Sequence, residues 1–335
     1  MLRLPVALLT AALSLGTASL GAARAAEITP AVVFDMGGKF DKSFNESVHD
    51  GAEAFTKATG IAVSEFEVVN ATQREQALRN YARRGQDPII AVGFGHATAV
   101  KAVAAEFPKL HFVIMDAVVD APNVQSIVFR EEQGSYLAGM LAALRSGTGK
   151  IGFVGGMDVP LIRKFACGYV QGARAANPKV EVLQNMTGST PAAWADPVRG
   201  AELARSQIER GADVVFHAAG ATGVGVLQAA ADAGKYGIGV DSNQNALHPG
   251  RVLTSMVKEL DVATKTTLEA ARAGTWKPGT LVLGLPEGGV GLAFDSNNAQ
   301  AVTADMRSKV DAAKADIIAG RVTVHDYTSD NACPN

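Results

Sequence analysis

Cysteine is nearly absent, two in 335 residues, and the six histidines are scattered rather than grouped. A Cys/His metal centre therefore has too few ligands. The pair Cys167 and Cys333 suits one disulfide tying the C-terminal tail to a central helix, with two free thiols as the alternative. Neither sign of charge prevails, with 33 acidic against 31 basic side chains mixed along the chain. That excludes the basic face that nucleic acid requires and the basic cluster that holds an anionic bilayer. Beyond the first residues no apolar run approaches the roughly 20 needed to cross a membrane. No lysine follows a glycine loop in the Walker manner, and Gly220, Gly223 and Gly225 do not make G-x-G-x-x-G. No G-x-S-x-G elbow or H-E-x-x-H helix is present. His49, on an amphipathic helix, reads as a helix-surface residue rather than a general base. The chain is not expected to be an enzyme.

What is present begins with a leader. Arg3 supplies positive charge, Val6 to Leu20 is apolar, and Ala23-Arg24-Ala25 is a small-x-small cleavage site. This is a signal peptide over residues 1–25, with Ala26 opening the mature chain. No cysteine lies near that site, so a soluble exported protein without a lipid anchor is expected. Residues 26–335 are long enough for two ordinary domains.

The remainder alternates short apolar runs with helical patterns. Strands are predicted at 31–34, 62–69, 88–92, 111–115, 124–129, 150–154, 180–184, 213–217, 237–240 and 251–257. Helices fit between them at 72–84, 98–106, 133–145, 161–176, 194–210 and 222–233. Thr72 with Glu75 predicts a capping box, and Gly85, Gly147, Gly211 and Gly234 sit where helices should stop. Such alternation predicts an α/β fold with parallel sheets covered on both faces. Two blocks are visible, about 28–129 and 131–240. After them come a strand, a helix over 259–273, a Gly-rich strand pair near 281–294 and a helix over 299–319. That tail is expected to return to the first lobe and recross.

Four loops follow apolar strands with glycine and polar residues: 35–43, 93–98, 155–158 and 218–225. Strand carboxyl ends are where open α/β sheets bind ligands. Asp35, Asp116 and Asp241 each close an apolar strand, each being equally able to cap a turn. Together they disfavour a phosphate and suit hydroxyl or ring N–H donors. Lys258 can balance one of them, or lie on the surface. Phe44, Phe165 and Phe216 are candidates for stacking on a flat ring, with core packing as the competing role.

These residues carry a resemblance. Asp35-x-Gly37, then Phe40-Asp41-Lys42-Ser43-Phe44-Asn45-x-Ser47, resembles the opening motif of the basic membrane protein family of purine-nucleoside-receptor-like ABC transporter substrate-binding proteins. Further matches are Phe129-Arg130-Glu131-x-x-Gly134-Ser135-Tyr136, Phe165-x-x-Gly168-Tyr169-x-x-Gly172, Gly220-x-Thr222-Gly223-x-Gly225 and Gly239-Val240-Asp241.

The resemblance implies a type I periplasmic-binding fold, two doubly wound parallel-sheet lobes joined by a three-strand hinge. The lobes would be 26–130 with about 245–282, and 131–244 with about 283–335. It implies Phe44 and Phe165 sandwiching a base, Asp116 and Asn45 at its edges, and Asp35 as a further polar contact. Phe216 would pack around ring and sugar, Gly220 would allow close backbone approach, and Asp241 with Lys258 would clamp ribose hydroxyls. The expected function is periplasmic capture of a nucleoside, a purine nucleoside foremost, for an ABC permease, by a monomer without cofactor. Alternatives are another ring-bearing metabolite such as a flavin or thiamine-like compound, a sugar, or nucleoside processing by a secreted enzyme.

Overall fold

A computed structural model describes residues 28–334; the expected leader lies outside the described residues. The chain begins β1 (Ala31–Phe34), α1 (Phe44–Thr59), β2 (Ser64–Glu67), α2 (Gln73–Arg83), β3 (Ile89–Ala91), α3 (Ala97–Glu106), β4 (Phe112–Met115) and β5 (Val124–Phe129). It continues α4 (Glu131–Arg145), β6 (Lys150–Met157), α5 (Pro160–Ala176), β7 (Glu181–Gly188), α6 (Pro197–Glu209), β8 (Val214–Ala218), α7 (Thr222–Asp232), β9 (Tyr236–Asp241) and β10 (Val252–Lys258). The last elements are α8 (Leu260–Arg272), β11 (Gly279–Leu283), β12 (Val290–Leu292) and α9 (Ala304–Ile318).

Two six-stranded sheets result, ordered β11-β5-β4-β3-β1-β2 and β12-β10-β9-β8-β6-β7. Every pairing is parallel except β10 with β12. Strands such as β1 and β4 are buried throughout, which is why they read as unbroken apolar runs rather than alternating ones. The α/β architecture of two parallel-sheet lobes is the one the sequence predicts.

The return from the second lobe differs from expectation. The strand over 251–257 is expected in the first lobe, yet β10 lies in the second sheet beside β9, with Ser255 opposite Gly239 and Met256 opposite Val240. Val252–Met256 is buried, and consecutive strands usually stay neighbours. The chain crosses afterwards, at Glu259. Nor do the strands near 281–294 pair with each other: β11 joins β5 and β12 joins β10, because the third crossover separates them. The three crossovers lie side by side, with Arg130 N donating to Leu283 O (2.9 Å) and Glu259 N to Gly289 O (3.0 Å).

Three local expectations also change. Thr72 makes no cap to α2; its hydroxyl donates to Asn70 Oδ1, and Glu75 instead pairs with Arg79. The helix expected from 194 begins at Pro197, whose missing N–H suits a first turn, under an Asp196 side chain that accepts from Arg199 N. Trp194 is left on a separate short 3-10 turn. Gly149 rather than Gly147 takes the left-handed conformation after α4.

Helices α4 and α5 pack so closely that a side-chain carbon at Gly139 or Gly172 would strike the facing backbone at Tyr169 or Tyr136. Cys167 Sγ on α5 is bonded to Cys333 Sγ. The tail is held there additionally by Gln171, which donates to His325 O and accepts from His325 N.

Candidate functional site

The carboxyl ends of both sheets face one cleft. From the first lobe come Asp35 and Met36 after β1, Asp41, Phe44 and Asn45 at the start of α1, Gly93 and Phe94 after β3, and Asp116 after β4. From the second come Leu161, Ile162 and Phe165 of α5, Trp194, Ala218–Gly220 after β8, Val240 and Asp241 of β9, and Lys258 closing β10.

The opening loop is organised by Asp41. Its carboxylate accepts from the backbone N–H groups of Ser43, Asn45 and Glu46, filling the orphan donors of the first turn of α1. Burial, partly offset by these bonds, pushes Asp41 up to about 6. Asn45 Nδ2 donates to Asp35 O and Gly38 O, which fixes the loop, while its buried Oδ1 has no partner. An unpaired acceptor at a cleft wall invites an N–H donor from a ligand.

Asp35 lines the cleft, but Arg74 binds its Oδ1 at 2.6 and 3.1 Å. Its charge is therefore already balanced by a cation that the sequence reading did not single out.

Asp116 and Asp241 end β4 and β9 with φ of 62° and 63°, a left-handed conformation uncommon outside glycine. The turn directs both carboxylates to the cleft rather than along the next element. Asp116 meets Lys258 Nζ at 2.8 and 2.7 Å, and Asp241 Oδ2 accepts from Ser43 Oγ at 2.5 Å. Both bonds join opposite lobes. Burial raises each aspartate to about 6 despite the nearby ammonium. For Lys258 burial works the other way, but Asp116, Glu131 and Asp241 outweigh it and raise its pKa.

Phe44 and Phe165 stand on opposite lobes, with Lys258 Nζ 5.1 and 5.7 Å from their ring centres. Phe216 is not with them. It is fully buried, 5.5 Å from the ring of Phe153 and 5.2 Å from that of Tyr169, so its core role prevails. It lies in mid-strand on β8; the strand end, Ala218 to Gly220, supplies the wall instead.

Of the four expected loops, 155–158 contributes no lining residue. Gly155 lies within β6, and Gly156 leaves room for the indole of Trp194. Trp194 and Phe94 are cleft residues the sequence reading missed, their rings 6.4 Å apart edge to face. Phe94 lies inside the candidate loop 93–98, and a helical pattern that runs on through Trp194 conceals its separate turn. Glu131, 3.0 Å from Lys258 Nζ but not itself a lining residue, is a further omission. Among the described residues no His/Cys/Asp/Glu group is arranged to hold a metal.

Comparison with known proteins agrees with this architecture. A family described as "ABC transporter substrate-binding protein PnrA-like" matches residues 28–327. The chain is 32% identical over 321 residues to the "ABC transporter nucleoside-binding protein BmpA" of Lactococcus lactis, covering 89% of each protein. It is 33% identical over 281 residues to an uncharacterized lipoprotein of Pyrococcus furiosus, covering 79% of this chain and 70% of that one. That lipoprotein name stands against the expectation of a chain without a lipid anchor. Among solved structures, an ABC transporter solute-binding protein from Aeropyrum pernix K1 superposes with a TM-score of 0.82 at 27% identity, over 90% of this chain and 94% of that one.

Proposed function

The chain belongs to the PnrA-like family of ABC transporter substrate-binding proteins, and from that premise we propose that it captures a nucleoside, a purine nucleoside foremost, in the periplasm. The observation that carries this reading is that Phe44 and Phe165, on opposite lobes, line one cleft together with Asp116, Asp241 and Lys258. Flat rings favour aromatic faces, and carboxylates accept from ribose hydroxyls while an ammonium donates to them. In this reading Asn45 Oδ1 accepts from a ring N–H, Asp116 serves the base edge, and Asp241 with Lys258 grips the ribose. Gly220 lets backbone approach the ligand, and Asp35, held by Arg74, shapes the wall beside it. The relative in Lactococcus lactis, named as nucleoside-binding, supports the same ligand class.

Lobe closure about the three crossovers traps the ligand, and the closed form presents it to the permease as a monomer, without turnover. A thermal-shift screen of nucleosides, bases, sugars, flavins and thiamine tests this. Guanosine, inosine or adenosine should raise the melting temperature most. Stabilisation by sugars or flavins alone would replace nucleoside as the ligand, and conversion of inosine on chromatography would make the protein an enzyme.

A further inference from the structure

Behind the cleft, two lysines share one buried carboxylate. Glu131 opens α4, and each of its oxygens faces a different ammonium: Oε1 lies 3.0 Å from Lys258 Nζ and Oε2 3.0 Å from Lys164 Nζ. Neither contact has hydrogen-bond alignment, so Glu131 acts on them chiefly as a charge. Lys164 is anchored in its turn. It donates to Phe129 O at 2.8 Å and lies 3.2 Å from Glu132 and 3.5 Å from Asp326 of the tail.

Lys258 and Asp116 line the cleft; Glu131 does not. Asp116 directly follows β4 in the first lobe, whereas Glu131 and Lys258 both belong to the second. The two carboxylates in contact with Lys258 therefore differ in what they do when the lobes part, while Asp241 of the second lobe acts on the ammonium only as a nearby charge. Asp116 leaves with its lobe, and Glu131 stays. A buried ammonium stripped of both partners is strongly disfavoured, and the flexible lysine stem would swing it toward water.

We propose that Glu131 is the positioning residue for Lys258, holding the ammonium aimed into the cleft of the unliganded second lobe so that ligand and Asp116 meet it already in place. The inference rests on the nucleoside reading only for the ligand used to test it. Pre-organisation of this kind removes an ordering cost from binding.

The test compares Glu131→Gln, which keeps the shape, with Glu131→Asp, which keeps the charge. In ligand-free protein labelled with nitrogen-15 lysine, the ammonium signal that disappears in Lys258→Met identifies Lys258. It should be lost or broadened in Glu131→Gln and retained in Glu131→Asp. Guanosine binding by calorimetry should weaken at least about tenfold in the glutamine variant and recover most of that loss in the aspartate variant. In a Lys258→Met background the same Glu131→Gln change should add less than about twofold. An unchanged ammonium signal in Glu131→Gln, or an equal loss of affinity in both backgrounds, overturns the proposal. Absence of nucleoside binding in the wild type would overturn the ligand assignment instead, and the ammonium signal would still decide the role of Glu131.

Discussion

Ser43 Oγ donates a 2.5 Å hydrogen bond to Asp241 Oδ2, joining the first turn of one lobe to a strand end of the other across 198 residues of sequence. Ser242 and Gln244 add bonds in the same place, to Ser43 O and Lys42 O. The seam beside the cleft is thus stitched by polar groups that exist as partners only when the lobes are together. A hydrogen bond to a carboxylate contributes about 1.5–3 kcal/mol. Ser43→Ala should weaken guanosine binding by about tenfold or more while leaving each lobe folded. Unchanged affinity by calorimetry would remove this bond from the closure mechanism.

Phe44→Ala and Phe165→Ala should each cost about 1–3 kcal/mol of nucleoside affinity, the range for one aromatic face on one base. The two differ in stability. Phe44 is partly exposed whereas Phe165 is buried, so only the second should lower the melting temperature appreciably. Retained affinity in both variants would refute the sandwich.

Much of this was legible in the sequence. β1, β4 and β9 are apolar runs ending in aspartate, and the alternation with helices leaves little choice but parallel sheets, so Asp116 and Asp241 were found at strand ends. Phe216 was misjudged because its residue type was weighed without its place: in mid-strand it must point to one sheet face, toward Tyr169. The side taken by β10 depends on pairing over long sequence distance, which local pattern does not encode. Glu131 and Arg74 are ordinary charges until the fold buries them against Lys258 and Asp35.

Tryptophan fluorescence should report ligand. Of the two tryptophans, Trp194 lines the cleft, while Trp276 packs on His111 with ring centres 4.4 Å apart. Guanosine should change the emission of wild type and Trp276→Phe but leave Trp194→Phe silent. A response that survives in Trp194→Phe would place the binding event elsewhere.

Asp241, pushed up to about 6 mainly by burial, binds a proton more readily in the folded protein than in the unfolded chain. Its contribution to stability is therefore fully present near pH 4 and is lost as pH rises through 6. His96 and His217, pushed down to about 4 by burial, tilt the raw profile oppositely, so the informative quantity is a difference between proteins. Asp241→Asn should be more stable than wild type at pH 7.5, by on the order of 1–2 kcal/mol, with the gap shrinking toward pH 4. The same variant should lose nucleoside affinity. A gap independent of pH would show that Asp241 is not held at this cost for binding.

The tail bond should matter to the whole second lobe. A cross-link over a 166-residue separation contributes up to about 5 kcal/mol in the chain-entropy account. Cys333→Ser should accordingly lower the melting temperature by several degrees without abolishing folding, as read by calorimetry.

The same bond has a topological consequence. The ring it closes, from Cys167 to Cys333, contains the crossovers at Glu259 and at 284–289, and with them α8 and β11 of the first lobe. A protease that nicks any exposed loop inside that ring severs one backbone bond yet releases no fragment. The cut protein remains one covalent body, and its two pieces separate only when a thiol reductant opens the cystine.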